Sequence, residues 1–377
     1  MRFVLFYHSL VSDWNHRNAH FLRGIVSELL ERGHAVEVYE PRDGWSRGHL
    51  LHSAGYGALQ EFAGRFPRLR SRLYDPAKPN LDVMLDGADV VLVHEWNPPE
   101  LIAQIGAQRA ASGDYRLLFH DTHHRAVTDS EGMAAYDLSG YDGVLAFGRV
   151  IRDAYLERGW APRAWVWHDA ADTRIFRPIW SRWHEGDLVW IGNWGDDERA
   201  RDLHEFLLEP VRRLGLRARA HGVRYPAEAR QALAEAGIEY EGWLPNYRVP
   251  EVFSKFRVTV HIPRRPYREA LPGIPTIRVF EALACGIPLV CAEWDDAEGL
   301  FTPGEDYLVA GDADEMTQQL EAILNEGGLA RSLAEHGRRT ILARHTCAHR
   351  VDELLAICAE LGAGTLETAE LQSAVHA

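Results

Sequence analysis

Short apolar runs alternate along this chain with stretches whose apolar positions recur at helical spacing. Phe3-Val-Leu-Phe-Tyr7 is a run of the first kind. Phe21, Leu22, Ile25, Val26, Leu29 and Leu30 line one face of a helix up to Arg32-Gly33, and Ala35-Val-Glu-Val-Tyr39 returns to a strand pattern. That is a βαβ unit. Further strands are expected at 89–93, 115–119, 143–147 and 165–167, separated by helical or mixed segments, as in a mostly parallel sheet covered on both faces. Residues 44–80 interrupt the alternation and are expected to form a helical insertion.

A second series starts after the polar, Trp- and Pro-containing stretch 176–186. Strands are expected at 188–191, 216–220, 257–262 and 289–291, and helices at 198–214, 226–236 and from Pro275. Three more helices are expected at 312–326, 328–343 and 346–361. The pattern predicts an α/β protein of two Rossmann-like domains, 1–178 and 179–345, with a C-terminal helix and tail over 346–377 able to cross back to the first domain.

Composition narrows the setting. With 377 residues, 46% of them apolar, the chain can bury a large core, which excludes a disordered chain or a disulfide-stapled miniprotein. Lys and Arg number 41 against 55 Asp and Glu, a net charge of −14, which disfavours an extended nucleic-acid footprint and membrane-surface binding. No apolar run approaches a bilayer span and the apolar start is too short for a signal-peptide core, so no integral membrane association is expected. Cys285, Cys291, Cys347 and Cys358 show no CxxC spacing and read as reduced core residues of a cytoplasmic protein.

The most informative stretch is 264–291. Pro272-Gly273 makes a turn, Pro275 suits a first helical turn, and Gly286 with Pro288 ends the helix, so unpaired amides near 274–277 face the loop above the sheet and can hold a phosphate. Arg264, Arg265, Arg268 and Arg278 surround that point, against one acid, Glu269. Glu281 is the only charged residue between Val279 and Cys291. A carboxylate on so apolar a helix needs partners, and its two oxygens can accept both hydroxyls of a ribose diol; an ion pair with one of the arginines is the other solution.

In the N-terminal half, His94-Glu-Trp-Asn and His120-Asp-Thr-His-His-Arg125 follow apolar strands directly, at the carboxyl ends where open α/β sheets place ligands. Asp121, His123 and His124 are candidates for acceptor contacts or proton transfer. The loop after the first strand adds His8, Asp13, Asn15, His16, Asn18 and His20. His345, Cys347 and His349 lack further nearby cysteines for a zinc site, and Asp312-Ala-Asp314 sits where helix caps are expected. A Ser nucleophile elbow, a Walker loop and a GxGxxG turn after the first strand are absent from the sequence.

Arg278-Val-Phe-Glu281-Ala-Leu-Ala-Cys-Gly286-Ile-Pro-Leu-Val290, followed by Phe301-Thr-Pro-Gly-Glu-Asp-Tyr307, resembles the donor-binding half of the GT-B nucleotide-sugar glycosyltransferases, most of all those related to the spore-maturation CgeB proteins. Ala170-Ala-Asp172 with Phe176 and Pro178 resembles the segment leading into the interdomain linker, and Ile191 to Arg199 resembles the opening of the donor domain. The resemblance implies a GT-B architecture, with two Rossmann-like domains facing a central cleft. It implies a hexosyltransferase-like enzyme that moves a sugar from a nucleoside-diphosphate sugar to a small-molecule, glycan or protein acceptor, retaining and independent of metal or cofactor.

Residue by residue, the resemblance gives Glu281 the ribose and Arg199 the diphosphate, and His120 is similar to the histidine that touches the donor sugar. The implied donor set is Gly192, Asn193, Arg199, Thr276, Ile277, Arg278 and Glu281; the catalytic set is His120, Asp121 and Arg199; the acceptor side is His16, Asn18, His94, His123 and His124. Where the family's E-x7-E motif has its first glutamate, this chain has Gly273, so that sugar contact falls to backbone amides or another residue. An epimerase of the same fold, or a silent GT-B binding or assembly protein, are the other functions considered.

Overall fold

The computed structural model describes residues 1–15, 18–195 and 197–363. The chain forms two compact units, Met1–His168 together with the segment from Cys347 onward, and Asp169–Thr346. The first change of unit thus falls after residue 168 rather than 178.

The first unit holds β1 (Arg2–Phe6), β2 (Ala35–Pro41), β3 (Ser71–Tyr74), β4 (Val90–His94), β5 (Arg116–Asp121), β6 (Gly143–Ala146) and β7 (Ala164–Val166). They form one sheet in the order β3-β2-β1-β4-β5-β6-β7, every pairing parallel. β4 is buried along its whole length, as a central parallel strand with helices on both faces must be. The 44–80 segment departs from the expected helical insertion. After helices Trp45–Ala54 and Gly57–Arg65 it supplies the edge strand β3, of which only Tyr74 is buried, so it carries almost no alternation to read in the sequence.

The second unit holds β8 (Leu188–Ile191), β9 (Ala218–His221), β10 (Ile238–Tyr240), β11 (Val258–His261), β12 (Leu289–Ala292) and β13 (Leu308–Ala310), all parallel, in the order β10-β9-β8-β11-β12-β13. Trp190, Phe206, Val258, Val290 and Met316 belong to one continuous apolar cluster between this sheet and its helices. The helical run from Asp197 to Leu214 widens over His204–Leu208, just ahead of Pro210, which has no N–H to give to the preceding turn. The helix Cys347–Glu360 packs in the first unit, where Trp167 Nε1 donates to the Arg350 carbonyl at 2.8 Å.

Candidate functional site

In the second sheet the chain steps from β8 outward to β10 and returns to β11 on the other side of β8. The loops after β8 and β11 therefore diverge, which leaves a crevice at the carboxyl ends of these two strands. Arg199, on the helix Asp197–Leu203, crosses it: Nη1 donates to the Ile262 carbonyl and the guanidinium lies 5.3 Å from the Trp190 ring centre. On the β11 side, His261 Nε2 and Thr276 Oγ1 are 2.9 Å apart. Burial, reinforced by the charges of Arg199 and Arg278, pushes the His261 imidazole down to about 3. The ring is thus neutral at pH 7, and positive charge at this point comes from the two arginines.

Thr276 is the cap residue of the helix Ile277–Cys285, yet its hydroxyl meets His261 and makes no cap bond. The backbone amides of Ile277 and Arg278 have no hydrogen-bond partner among the described residues. Two unengaged amides and two guanidinium groups around one strand end are a set of donors that can hold an anion.

Glu281, one turn further, is fully buried. Its Oε1 accepts from Asn246 Nδ2 at 2.7 Å and its Oε2 is ion-paired with Arg278. The ion pair left open by the sequence is formed. Both oxygens are thus engaged, and a diol would reach them by sharing or displacing these partners. Gly192 and Asn193 are engaged in loop packing: the Gly192 carbonyl accepts from Tyr225 Oη at 2.8 Å, and Asn193 Oδ1 accepts from the Val223 amide at 3.0 Å. A Cβ on Gly222 would stand 1.9 Å from the Gly192 oxygen, so glycine is required there to let the two loops close.

Position 273 is filled from elsewhere. Gly273 has φ +84°, and a Cβ built on it would lie 2.3 Å from Cγ of Glu298, whose side chain therefore occupies the space that a residue-273 side chain would need. The Gly273 amide donates to the Asp295 carbonyl at 2.6 Å, which holds the two loops together. The rest of the basic loop is largely neutralised: Arg265 is 3.5 Å from Glu198 and 3.8 Å from Glu269, and Arg268 is 3.9 Å from Asp202. A cavity of about 760 Å³ there, with Asp202, Arg265, Arg268 and Asp295 among its lining, includes none of the expected donor residues.

In the first unit the expected residues gather at the carboxyl ends of β1, β4 and β5, but most are enclosed. His120 is the penultimate residue of β5, 1% exposed, its ring 4.8 Å from Trp167 and 5.9 Å from Phe21. Its Nδ1 is 2.6 Å from the Tyr7 hydroxyl, and Nε2 is buried without a partner among the described residues. Burial pushes this imidazole down to about 3, so at pH 7 it is a neutral hydrogen-bonding group beneath the surface, contrary to the loop position read from sequence. Asp121 accepts from Tyr155 Oη at 2.8 Å and from the His123 amide at 2.9 Å. His94 Nε2 lies 3.0 Å from both Asn18 Nδ2 and Thr122 Oγ1.

The more accessible groups are His123 and His124, with rings 4.0 Å apart, and Trp96, which is 46% exposed and carries the Arg125 guanidinium 4.7 Å from its ring centre. His16 lies outside the described residues. No group of three or more metal-ligating side chains is found among the described residues. His345 Nε2 instead meets the Leu300 carbonyl at 2.9 Å, and Asp312 caps a helix by accepting from the Glu315 amide at 2.9 Å.

Sequence reasoning missed Asn246, His261, Glu298 and Tyr7. The only available signal was position: His261 ends a strand and Tyr7 follows one.

Comparison with known proteins gives a consistent picture. A family model described as glycosyl transferase-like matches residues 199–356. No curated protein matches the sequence significantly. Among solved structures, sucrose-phosphate synthase from Thermosynechococcus elongatus is 15% identical with a TM-score of 0.67, covering 96% of this chain and 99% of its own. HepE from Anabaena, in complex with UDP and glucose, is 12% identical with a TM-score of 0.68, covering 96% and 100%. An α-glucosyltransferase in complex with UDP and a 13-mer DNA containing an HMU base is 12% identical with a TM-score of 0.71, covering 95% and 99%. This chain has the GT-B fold. Within that GT-B chain, the family-model match opens on Arg199 and runs through His261, Thr276, Arg278, Glu281 and Glu298.

Proposed function

We propose that this protein transfers a hexose from a nucleoside-diphosphate sugar to an acceptor hydroxyl, with the donor held by the second unit. One observation carries the reading: Arg199, Arg278 and the unengaged amides of Ile277 and Arg278 converge at the end of β11, one helical turn from the buried Glu281. In this reading Gly192, Asn193 and Thr276 shape the donor loops, and Glu281 accepts the ribose hydroxyls while still holding Arg278. As the glycosidic bond breaks, negative charge grows on the departing diphosphate. Donors already aimed at it lower the barrier without a metal ion, and one such donor is worth about 3–4 kcal/mol.

In this reading Glu298 takes over the sugar contact that the E-x7-E resemblance gives to position 273, the chain is a CgeB-related enzyme, and transfer retains configuration. His123, His124 and Trp96 meet the acceptor; Asn18, His94, His120 and Asp121 hold those loops from beneath. Four free, buried cysteines fit a reducing, cytoplasmic setting. No described helix is long and apolar enough to cross a membrane.

The test is thermal stabilisation by UDP, GDP, ADP and dTDP, followed by donor hydrolysis and transfer with the corresponding sugars. A ribonucleotide is expected to raise the melting temperature of wild type, its 2′-deoxy counterpart to do so less, and Glu281→Gln to lose the difference. Glu298→Gln is expected to keep nucleotide binding and lose about 10–100-fold in turnover, the signature of a contact made to the sugar. A wild type that binds no nucleotide sinks the donor site. One that binds but neither hydrolyses nor transfers any donor points to a silent binding protein, and one that converts the donor sugar without acceptor points to an epimerase.

A further inference from the structure

The segment entering the second unit carries an unusual surface. Ile179 is 41% exposed, Trp180 83% and Trp183 67%, three large apolar side chains in the open within five residues. Ile179 and Trp180 border a groove of about 640 Å³ lined also by Pro178, Phe253, Phe256, Ile287 and Pro288, and Trp183 stands three residues further along the same segment. Phe256 leads into β11 and Pro288 into β12, so the groove lies at the amino ends of these strands, the opposite end of the same sheet from Arg199 and Thr276. It is independent of the donor site. Exposed, contiguous apolar surface of this kind marks a place where something docks.

Charge says what docks. From Thr173 to His184 the chain has Arg174, Arg177 and Arg182 and no acid. Arg174 is held by Asp172 at 2.8 Å. Arg177, Arg182 and, on the groove wall, Arg331 have no ion-pair partner among the described residues. The acids that follow are already neutralised: Glu185 by Lys255 at 2.8 Å and Arg219 at 2.9 Å, Asp187 by Arg257 at 3.5 Å and Arg217 at 3.6 Å. Glu251, Glu326 and Glu335 adjoin the groove residues Pro250, Gly327 and Ala334, so the positive charge lies on the 177–182 segment rather than all round the groove. The rest of the overall −14 is largely screened beyond about 8 Å at physiological salt.

Tryptophan with interspersed arginine is the composition that settles at a lipid headgroup boundary, where the indole places its apolar body among acyl chains and its N–H in water. A second copy of the chain fits less well, since a two-fold contact would set the arginine rim against itself. Two free arginines on the exposed segment and one on the groove wall are also few for a phosphate-backbone footprint. We propose that the Ile179–Trp183 surface docks the protein peripherally on an anionic lipid bilayer. Trp180 and Trp183 enter the headgroup region, and Arg177, Arg182 and Arg331 contact anionic headgroups.

Co-sedimentation with vesicles of phosphatidylcholine alone, and of phosphatidylcholine with one third phosphatidylglycerol, tests this. Wild type is expected to partition onto the anionic vesicles only, and to be released by raised salt. The Trp180→Ser/Trp183→Ser double variant is expected to lose roughly tenfold in partitioning, and Arg177→Gln/Arg182→Gln about fivefold per arginine removed. All of these side chains are exposed, so unchanged melting temperature and nucleotide binding serve as controls for folding. Wild type that ignores anionic vesicles, or a tryptophan double variant that binds them as well as wild type, overturns the proposal. So does a wild-type dimer in the ultracentrifuge that the double variant turns into a monomer, or duplex DNA binding lost with the same arginines.

Discussion

A side chain at position 273 has nowhere to go. The backbone there sits at φ +84°, and Glu298 Cγ stands 2.3 Å from where a Cβ would be. Two separate costs therefore attach to Gly273→Ala: about 1–2 kcal/mol for a non-glycine residue at positive φ, and about 1–3 kcal/mol for the clash. Glu298→Ala relieves most of the second cost, since only its Cβ remains, 3.1 Å from that point, and leaves the first. Urea denaturation of wild type, both single variants and the double variant should thus give a coupling of about 1–3 kcal/mol. Simple additivity would mean that Glu298 does not occupy this space in solution, and would remove the ground for giving it the sugar contact. The test reads packing alone and is independent of whether the protein turns over any donor.

At the scale of elements, the helix Cys347–Glu360 decides which unit depends on the end of the chain. Cys347, Val351, Leu354 and Cys358 are buried, Arg32 reaches the Ala348 carbonyl at 3.1 Å, and Trp165 Nε1 donates to Glu360 at 3.1 Å, all within the first unit. Each buried aliphatic side chain of this size contributes about 1.5–3 kcal/mol. A chain stopped after Thr346 should therefore lose hydrogen-exchange protection in β4 and β5 while β11 and β12 keep theirs; equal loss in both sheets would contradict the assignment of the helix. Elements of this kind were legible because thirteen or more residues of helical periodicity, as in Ala19–Glu31 and Ala313–Asn325, leave a pattern no strand can mimic. Edge strands β3, β10 and β13 have three or four residues each and a single buried position, too few for a period to register. The site divides in the same way. Glu281 was conspicuous as a lone charge on an apolar helix, whereas Asn246, His261 and Glu298 matter through contacts with residues distant in sequence, and no local pattern announces those.

The whole molecule carries buried imidazoles in both units, and they make its stability fall with acid. Burial pushes His8 and His221 down to about 4, and His120 and His261 down to about 3, from an ordinary 6.5. Between these values and 6.5 the unfolded chain binds protons that the folded chain refuses, so unfolding becomes easier as pH drops through that window, by at most about 1.4 kcal/mol per pH unit for each ring. Glu40 works the other way: its buried carboxyl is raised above the usual carboxylate range, so the folded state gains relative stability as pH falls past that point. One such carboxyl in the first unit stands against two buried imidazoles there. Both sheets should therefore weaken together from pH 7 to pH 5, seen as parallel loss of hydrogen-exchange protection in β5 and β11 and a lower urea midpoint. A midpoint that holds or rises over that range would mean that some of these rings are protonated in the folded protein. If His261 were one of them, the proposed diphosphate site would carry three positive charges instead of two, and nucleotide binding would tighten as the pH fell rather than stay level.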